Sequence, residues 1–135
     1  MVQPVSNFAP VVFERYHRKL KKRGKNLETL SSAERHALRI AVKKQRYACE
    51  FFSGLYPRKR TKRYLRALSA LQQCLGELND LSIQERLLGE MIKGRADLRH
   101  SVNLAQGWIA AMRAQQLARL RKRWESFKQR QVFWK

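Results

Sequence analysis

Residues 31–56 read SSAERHALRIAVKKQRYACEFFSGLY, and how this stretch starts, repeats and stops decides the fold. Ser31 and Glu34 stand at the spacing of a capping box, in which the serine side chain accepts from one free N–H of the helix start and the glutamate from another. Pro57, which has no N–H and restricts the residue before it, closes the stretch. Between those marks the residues are mostly good helix formers, and no apolar/polar alternation with β-branched enrichment speaks for a strand. The spacing predicts a helix from Ser31 to about Tyr56.

The same punctuation extends in both directions. Proline occurs only at positions 4, 10 and 57. A preceding helix is predicted from about Phe8 to Arg23, with Pro10 in its first turn and Gly24 stopping it. Beyond Pro57, Tyr64, Leu65, Leu68, Leu71, Leu75 and Leu78 recur at steps of three and four, an apolar stripe for a core. Gly76, Asn79-Asp80 and a second capping-box spacing from Ser82 to Glu85 leave residues 58–92 as either one kinked helix or two shorter ones. Gly94 marks the next stop, Asp97 is a candidate N-cap, and a last helix reaches about Lys128, with Gly107 a weak point inside it. The tail from Gln131 to Lys135 is either a docking end or frayed. The fold class is therefore all-α: an antiparallel bundle of about four helices, with residues 1–135 forming one domain.

Charge narrows the function. The chain has 135 residues with 30 Lys or Arg against 10 Asp or Glu, a formal net charge of +20, which makes a polyanion the leading partner. No apolar run approaches the ~20 residues a membrane span needs. The opening MVQPVSNFAP lacks the basic and apolar regions of a secretory signal, so a cytoplasmic location is expected. Cys49 and Cys74 have no companion at metal or CxxC spacing and read as buried thiols. No cofactor or metal site is expected.

Around the helix at 31–56, with His36 at zero, Arg39 falls near ~300°, Lys43 near ~340° and Arg46 near ~280°. Ala37, Leu38, Ile40, Ala41, Val42, Tyr47, Cys49, Phe51, Phe52 and Leu55 cover roughly 200° or more of the remainder, so most of this helix is expected to be buried. A solvated face normally mixes signs, whereas this strip is narrow and almost wholly cationic, with Glu34 and Glu50 the nearest acids. Cations at about 5 Å spacing repel one another, so compensation must come from carboxylates or from a bound anion. Ten carboxylates against thirty cations favour the anion. A lone histidine on an apolar face is usually a satisfied core residue. His36 instead sits on the cationic strip, where it can donate to a phosphate and gain charge as the anion raises its pKa.

Two further groups share helical faces: Arg15, Arg18 and Lys22, and Lys59, Arg63 and Arg66. They are secondary basic contacts. The dense runs Arg58 to Arg63 and Arg119 to Arg123 read equally as solvated or as generic nucleic-acid-binding faces. Trp108, Trp124 and Trp134 read as packing residues. There is no glycine-rich phosphate loop, no HExxH, no paired acidic cluster and no defensible Ser/His/Asp set. Glu77 and Asp80 read as ion-pairing or capping residues, so no catalysis is expected.

HALRIAVKKQRYACEFF, His36 to Phe52, resembles the signature helix of the CHAD family, the conserved histidine α-helical domain. LQQCLGELNDL, Leu71 to Leu81, is similar to its second landmark, LQxxLGxLND followed by an apolar residue. HRKLKKRGK, Trp124 and the Phe133-Trp134 ending also resemble the family. The resemblance implies an all-helical domain that binds inorganic polyphosphate through a basic surface or central pore and often accompanies a triphosphate tunnel metalloenzyme (CYTH) domain. Carried over by motif position, His36, Arg39, Lys43 and Arg46 are the polyphosphate-binding residues. Tyr47 packs beside them, and Asn79 and Asp80 hold the third helix against the basic one through hydrogen bonds. Family domains usually have two four-helix halves, and this chain resembles the C-terminal one, so a second half or a second copy would supply the other wall of the pore. Gln45 and Gln73 depart from the family pattern without touching the proposed phosphate contacts. The expected function is non-catalytic polyphosphate binding in the cytoplasm, in association with polyphosphate granules. The alternatives are RNA or DNA binding, or an accessory role to a CYTH-type triphosphatase.

Overall fold

The structure, a computed structural model, describes residues 5–135; the first four residues of MVQPVSNFAP lie outside it. Four helices follow in order: α1 (Val5–Arg23), α2 (Ser32–Phe52), α3 (Arg58–Met91) and α4 (Arg99–Gln129). Short 3-10 turns stand in the three connections, and each helix packs against the next in an antiparallel bundle. No strand occurs among the described residues.

The local signals set several boundaries. The capping box at α2 is formed: Glu34 N–H donates to Ser31 Oγ at 3.1 Å, and Ser31 N–H to Glu34 Oε1 at 3.0 Å. Helix α2 stops at Phe52, and a 3-10 turn over Ser53–Leu55 carries the chain to Pro57. Helix α1 is described from Val5, so Pro10 lies beyond its first turn. Residues 58–91 form one helix. Leu75, Leu78 and Leu81 are buried around Gly76 and Asn79-Asp80, and this packing overrides the weak local helix formers. Ser82 makes no cap; its hydroxyl donates back to the Leu78 carbonyl at 3.2 Å. Asp97 does not cap α4 either, because Arg95 grips it with two hydrogen bonds of 2.9 and 2.8 Å inside the preceding turn. Gly107 lies within an unbroken α4.

Phe13 of α1 is the hub of the core. It is fully buried and meets the rings of Phe52, Tyr56, Phe133 and Trp134 at centroid distances of 5.0–5.8 Å. The C-terminal tail is therefore docked, and Trp134 Nε1 donates to Glu14 Oε2 at 2.8 Å. Gly24 is buried where a Cβ would run into the Trp124 indole, so close approach of α4 requires glycine there. The left-handed residue of that connection is Asn26, with φ 57°. Cys49 and Cys74 are buried free thiols, and burial pushes the Cys49 thiol up to about 12.

Helices α3 and α4, of 34 and 31 residues, outreach α1 and α2, of 19 and 21. At 1.5 Å per residue the excess is roughly 15 to 20 Å. The far part of the α3–α4 hairpin leaves Ile83, Leu87, Met91, Leu104 and Trp108 exposed. Trp108 therefore does not pack in the core as Trp124 and Trp134 do.

Candidate anion-binding site

Helix α2 buries one face only. Leu38, Ala41, Val42, Gln45 and Cys49 turn inward, an arc of about 140–240° on the wheel that has His36 at zero. Ile40, Tyr47 and Phe51 fall at about 20–60°, on the far side of the cationic strip, and are 41%, 59% and 82% exposed. The expectation that most of α2 is buried, and that Tyr47 packs, is thus corrected. Helices α1 and α3 flank α2 and cover its inner face. The cationic strip runs between the core edge and an exposed apolar edge.

The four strip residues are brought together on this outer face, with His36 exposed and Arg39, Lys43 and Arg46 half-buried. Arg46 is held by two partners: its Nε donates to Glu50 Oε1 at 3.0 Å and its Nη1 to Gln72 Oε1 of α3 at 2.9 Å. His36, Arg39 and Lys43 form no ion pair among the described residues. Arg39 Nε is enclosed and has no hydrogen-bond partner among the described residues. An enclosed guanidinium donor without an acceptor is costly. One carboxylate therefore serves a strip of four basic residues, and it serves only Arg46.

Asn79 and Asp80 form no side-chain hydrogen bond among the described residues, so the expectation that they hold α3 against α2 is not met. Gln72, reached by Arg46, makes that polar contact instead. Glu77 accepts from Gln73 at 3.3 Å and lies 3.6 Å from Arg119, as an ion-pairing residue.

The secondary clusters do not join the strip as sets. Arg15, Arg18 and Lys22 are exposed on α1; Arg18 is paired with Glu14 at 3.2 Å, and Arg15 and Arg18 border a groove with Pro10 and Trp134. Lys22 lines a separate hollow of about 330 Å³ with Lys19, Arg23 and Glu34. Lys59, Arg63 and Arg66 are exposed on α3, and Arg63 lines a cavity together with Arg60.

A polar cluster that the sequence did not reveal lies behind the strip. Gln45, fully buried, donates from Nε2 to the Phe13 carbonyl at 3.1 Å and to the Tyr64 hydroxyl at 3.0 Å. The Tyr64 oxygen accepts there, so its one proton goes to His17 Nδ1, 2.7 Å away. His17 is thereby held neutral with its proton on Nε2. Burial, reinforced by Lys21 and opposed by Glu14, lowers its pKa from 6.5 to about 4. The same burial raises the Tyr64 pKa. The cluster ties α1, α2 and α3 together and fixes the rotation of α2, and with it the direction of the strip.

Among the described residues no group of three or more His, Cys, Asp or Glu stands together to hold a metal ion, and no helix is long and apolar enough to cross a membrane. The fold and the outer face of α2 define an all-helical bundle with a cationic strip on its second helix. The profile of the CHAD domain family matches residues 2–89, which spans α1, α2 and nearly all of α3, and the chain belongs to that family. The crystal structure of the CHAD domain from the plant Ricinus communis is similar over 98% of this chain, with 32% identity and a TM-score of 0.73. The chain spans 46% of that structure's length. No curated protein matches.

Proposed function

We propose that this chain is a non-catalytic module that binds inorganic polyphosphate along the outer face of α2. The observation that carries the reading is the uncompensated strip: His36, Arg39 and Lys43 have no ion pair among the described residues, and the Arg39 Nε donor has no acceptor. The repeated negative charges of a phosphate chain match cations spaced along a helix. Arg39 and Arg46 offer fork-shaped donors, Lys43 a point charge and His36 a ring N–H. Gln45, Tyr64 and His17 position α2 from behind without touching the ligand.

The exposed apolar edge formed by Ile40, Tyr47 and Phe51 supports a second wall. A surface that pairs this edge with the strip is suited to contact with another helical half, either from a second copy or from another chain. Phosphate held between two such walls is neutralised from both sides. The module works in the cytoplasm, at polyphosphate granules where these form, and a CYTH-type triphosphatase is the catalytic partner implied by the family. Competition tests the ligand class. Polyphosphate bound to the wild-type chain should resist RNA at equal phosphate concentration, whereas displacement by RNA would reassign the strip to nucleic acid.

A further inference from the structure

The start of α3 and the segment after α4 enclose a cavity of about 390 Å³, lined by Arg60, Arg63, Tyr64, Arg130, Phe133 and Lys135 among others. No Asp or Glu lines it. Arg60, Arg63 and Arg130 form no ion pair among the described residues, and Lys135 shares Glu14 at 3.6 Å with Arg18. Three arginines from two distant parts of the chain thus line one concavity with no acidic side chain in its wall. A concave wall of one sign focuses the field and raises the local concentration of anions.

The frame of this cavity is fixed. Helix α4 ends at Gln129, and Arg130 takes extended backbone (φ −74°, ψ 140°) with its N–H donated to the Phe127 carbonyl at 3.2 Å. Three and four residues further on, Phe133 and Trp134 are buried in the core, which pins the segment that carries Arg130. Tyr64 is held by Gln45 and His17. The arginines are exposed at the mouth, free to converge on a ligand.

From this geometry we infer a second phosphate site, which takes a short oligophosphate of about three phosphates. The volume lies at the low end of small-molecule sites, which run from about 300 to 1,000 Å³, and so favours a compact anion over a long chain. Each guanidinium can engage phosphate oxygens through two parallel N–H donors. The site goes beyond the α2 strip and is separate from it. Arg63 and Gln72, the residue that Arg46 contacts, are nine residues apart on α3. That is two and a half turns, so they leave the helix on opposite sides and about 14 Å apart along its axis.

Titration calorimetry with tripolyphosphate and with long-chain polyphosphate tests the inference on the wild type, on Arg60→Gln/Arg63→Gln/Arg130→Gln and on Arg39→Gln/Lys43→Gln/Arg46→Gln. The cavity variant should lose about tenfold or more in tripolyphosphate affinity while long-chain binding changes less than about threefold. The strip variant should show the reverse. Unchanged tripolyphosphate binding in the cavity variant would overturn the second site whatever the strip does. Unchanged long-chain binding in the strip variant would overturn the strip alone. An equal loss of both ligands in the cavity variant would refute two separate sites. ATP, run at the same concentration, separates a free triphosphate from one carried by a nucleotide: equal affinity would mean that the site reads only the triphosphate group, and tighter ATP binding would overturn the free oligophosphate as ligand.

Discussion

His17 ties the fold to pH. It is buried against Phe127 and Trp134, accepts the Tyr64 proton at Nδ1, and has its pKa lowered from 6.5 to about 4 by burial. An unfolded chain protonates this group as the pH drops below 6.5, while the folded chain does not until about 4. The stability contributed by neutral His17 is therefore complete above 6.5 and is lost as the pH falls through that window. The linkage relation gives a loss of about 2 kcal/mol at pH 5 and about 3 kcal/mol by pH 4. The perturbation is His17→Phe, which keeps the ring and removes the titration. Urea unfolding followed by circular dichroism between pH 7.5 and 5 reads it. The wild type should lose about 2 kcal/mol more than the variant over that range. Parallel stability profiles for the two proteins would refute the buried, neutral state of His17.

Phe13→Ala removes the ring that four other aromatic side chains pack against and should cost about 3–5 kcal/mol in denaturant unfolding. Gly24→Ala should cost about 1–3 kcal/mol because the added methyl meets the Trp124 indole, and Trp124→Leu should relieve part of that cost in a double-mutant cycle. Reversing Arg39 and Lys43 together to Glu should weaken polyphosphate binding at least about a hundredfold, read by fluorescence titration, with unchanged helical circular dichroism. Loss of helicity instead would make the strip part of the scaffold.

Much of this structure is legible where the determinants are local. The Ser31/Glu34 box, Pro57 and Gly94 mark helix ends through contacts within four residues, and the strip of His36, Arg39, Lys43 and Arg46 follows from the helical period alone. The extent of burial around α2 is different, because it depends on how many neighbours pack against the helix. Apolar residues all round predict a buried helix, and the structure leaves Ile40, Tyr47 and Phe51 outside. The His17–Tyr64–Gln45 cluster joins residues 47 and 19 positions apart, and no spacing rule links them. In the sequence Gln45 shows only as a departure from the family pattern, with no sign of the partners it meets. The cavity arginines come from the start of α3 and from beyond α4, and only the anchoring of Phe133 and Trp134 brings Arg130 to Arg60 and Arg63. Asp97 had the look of an N-cap, but Arg95, two residues away, competes for its carboxylate and wins.

The central claim is most directly tested by calorimetric titration of long-chain polyphosphate at two salt concentrations, with RNA as competitor. The comparison is between the wild type and a variant with His36, Arg39, Lys43 and Arg46 all changed to Ala. The account predicts tight binding by the wild type that weakens with salt, resists RNA and is lost in the variant. Weak binding that RNA displaces equally well, and that the four substitutions leave unchanged, would contradict it.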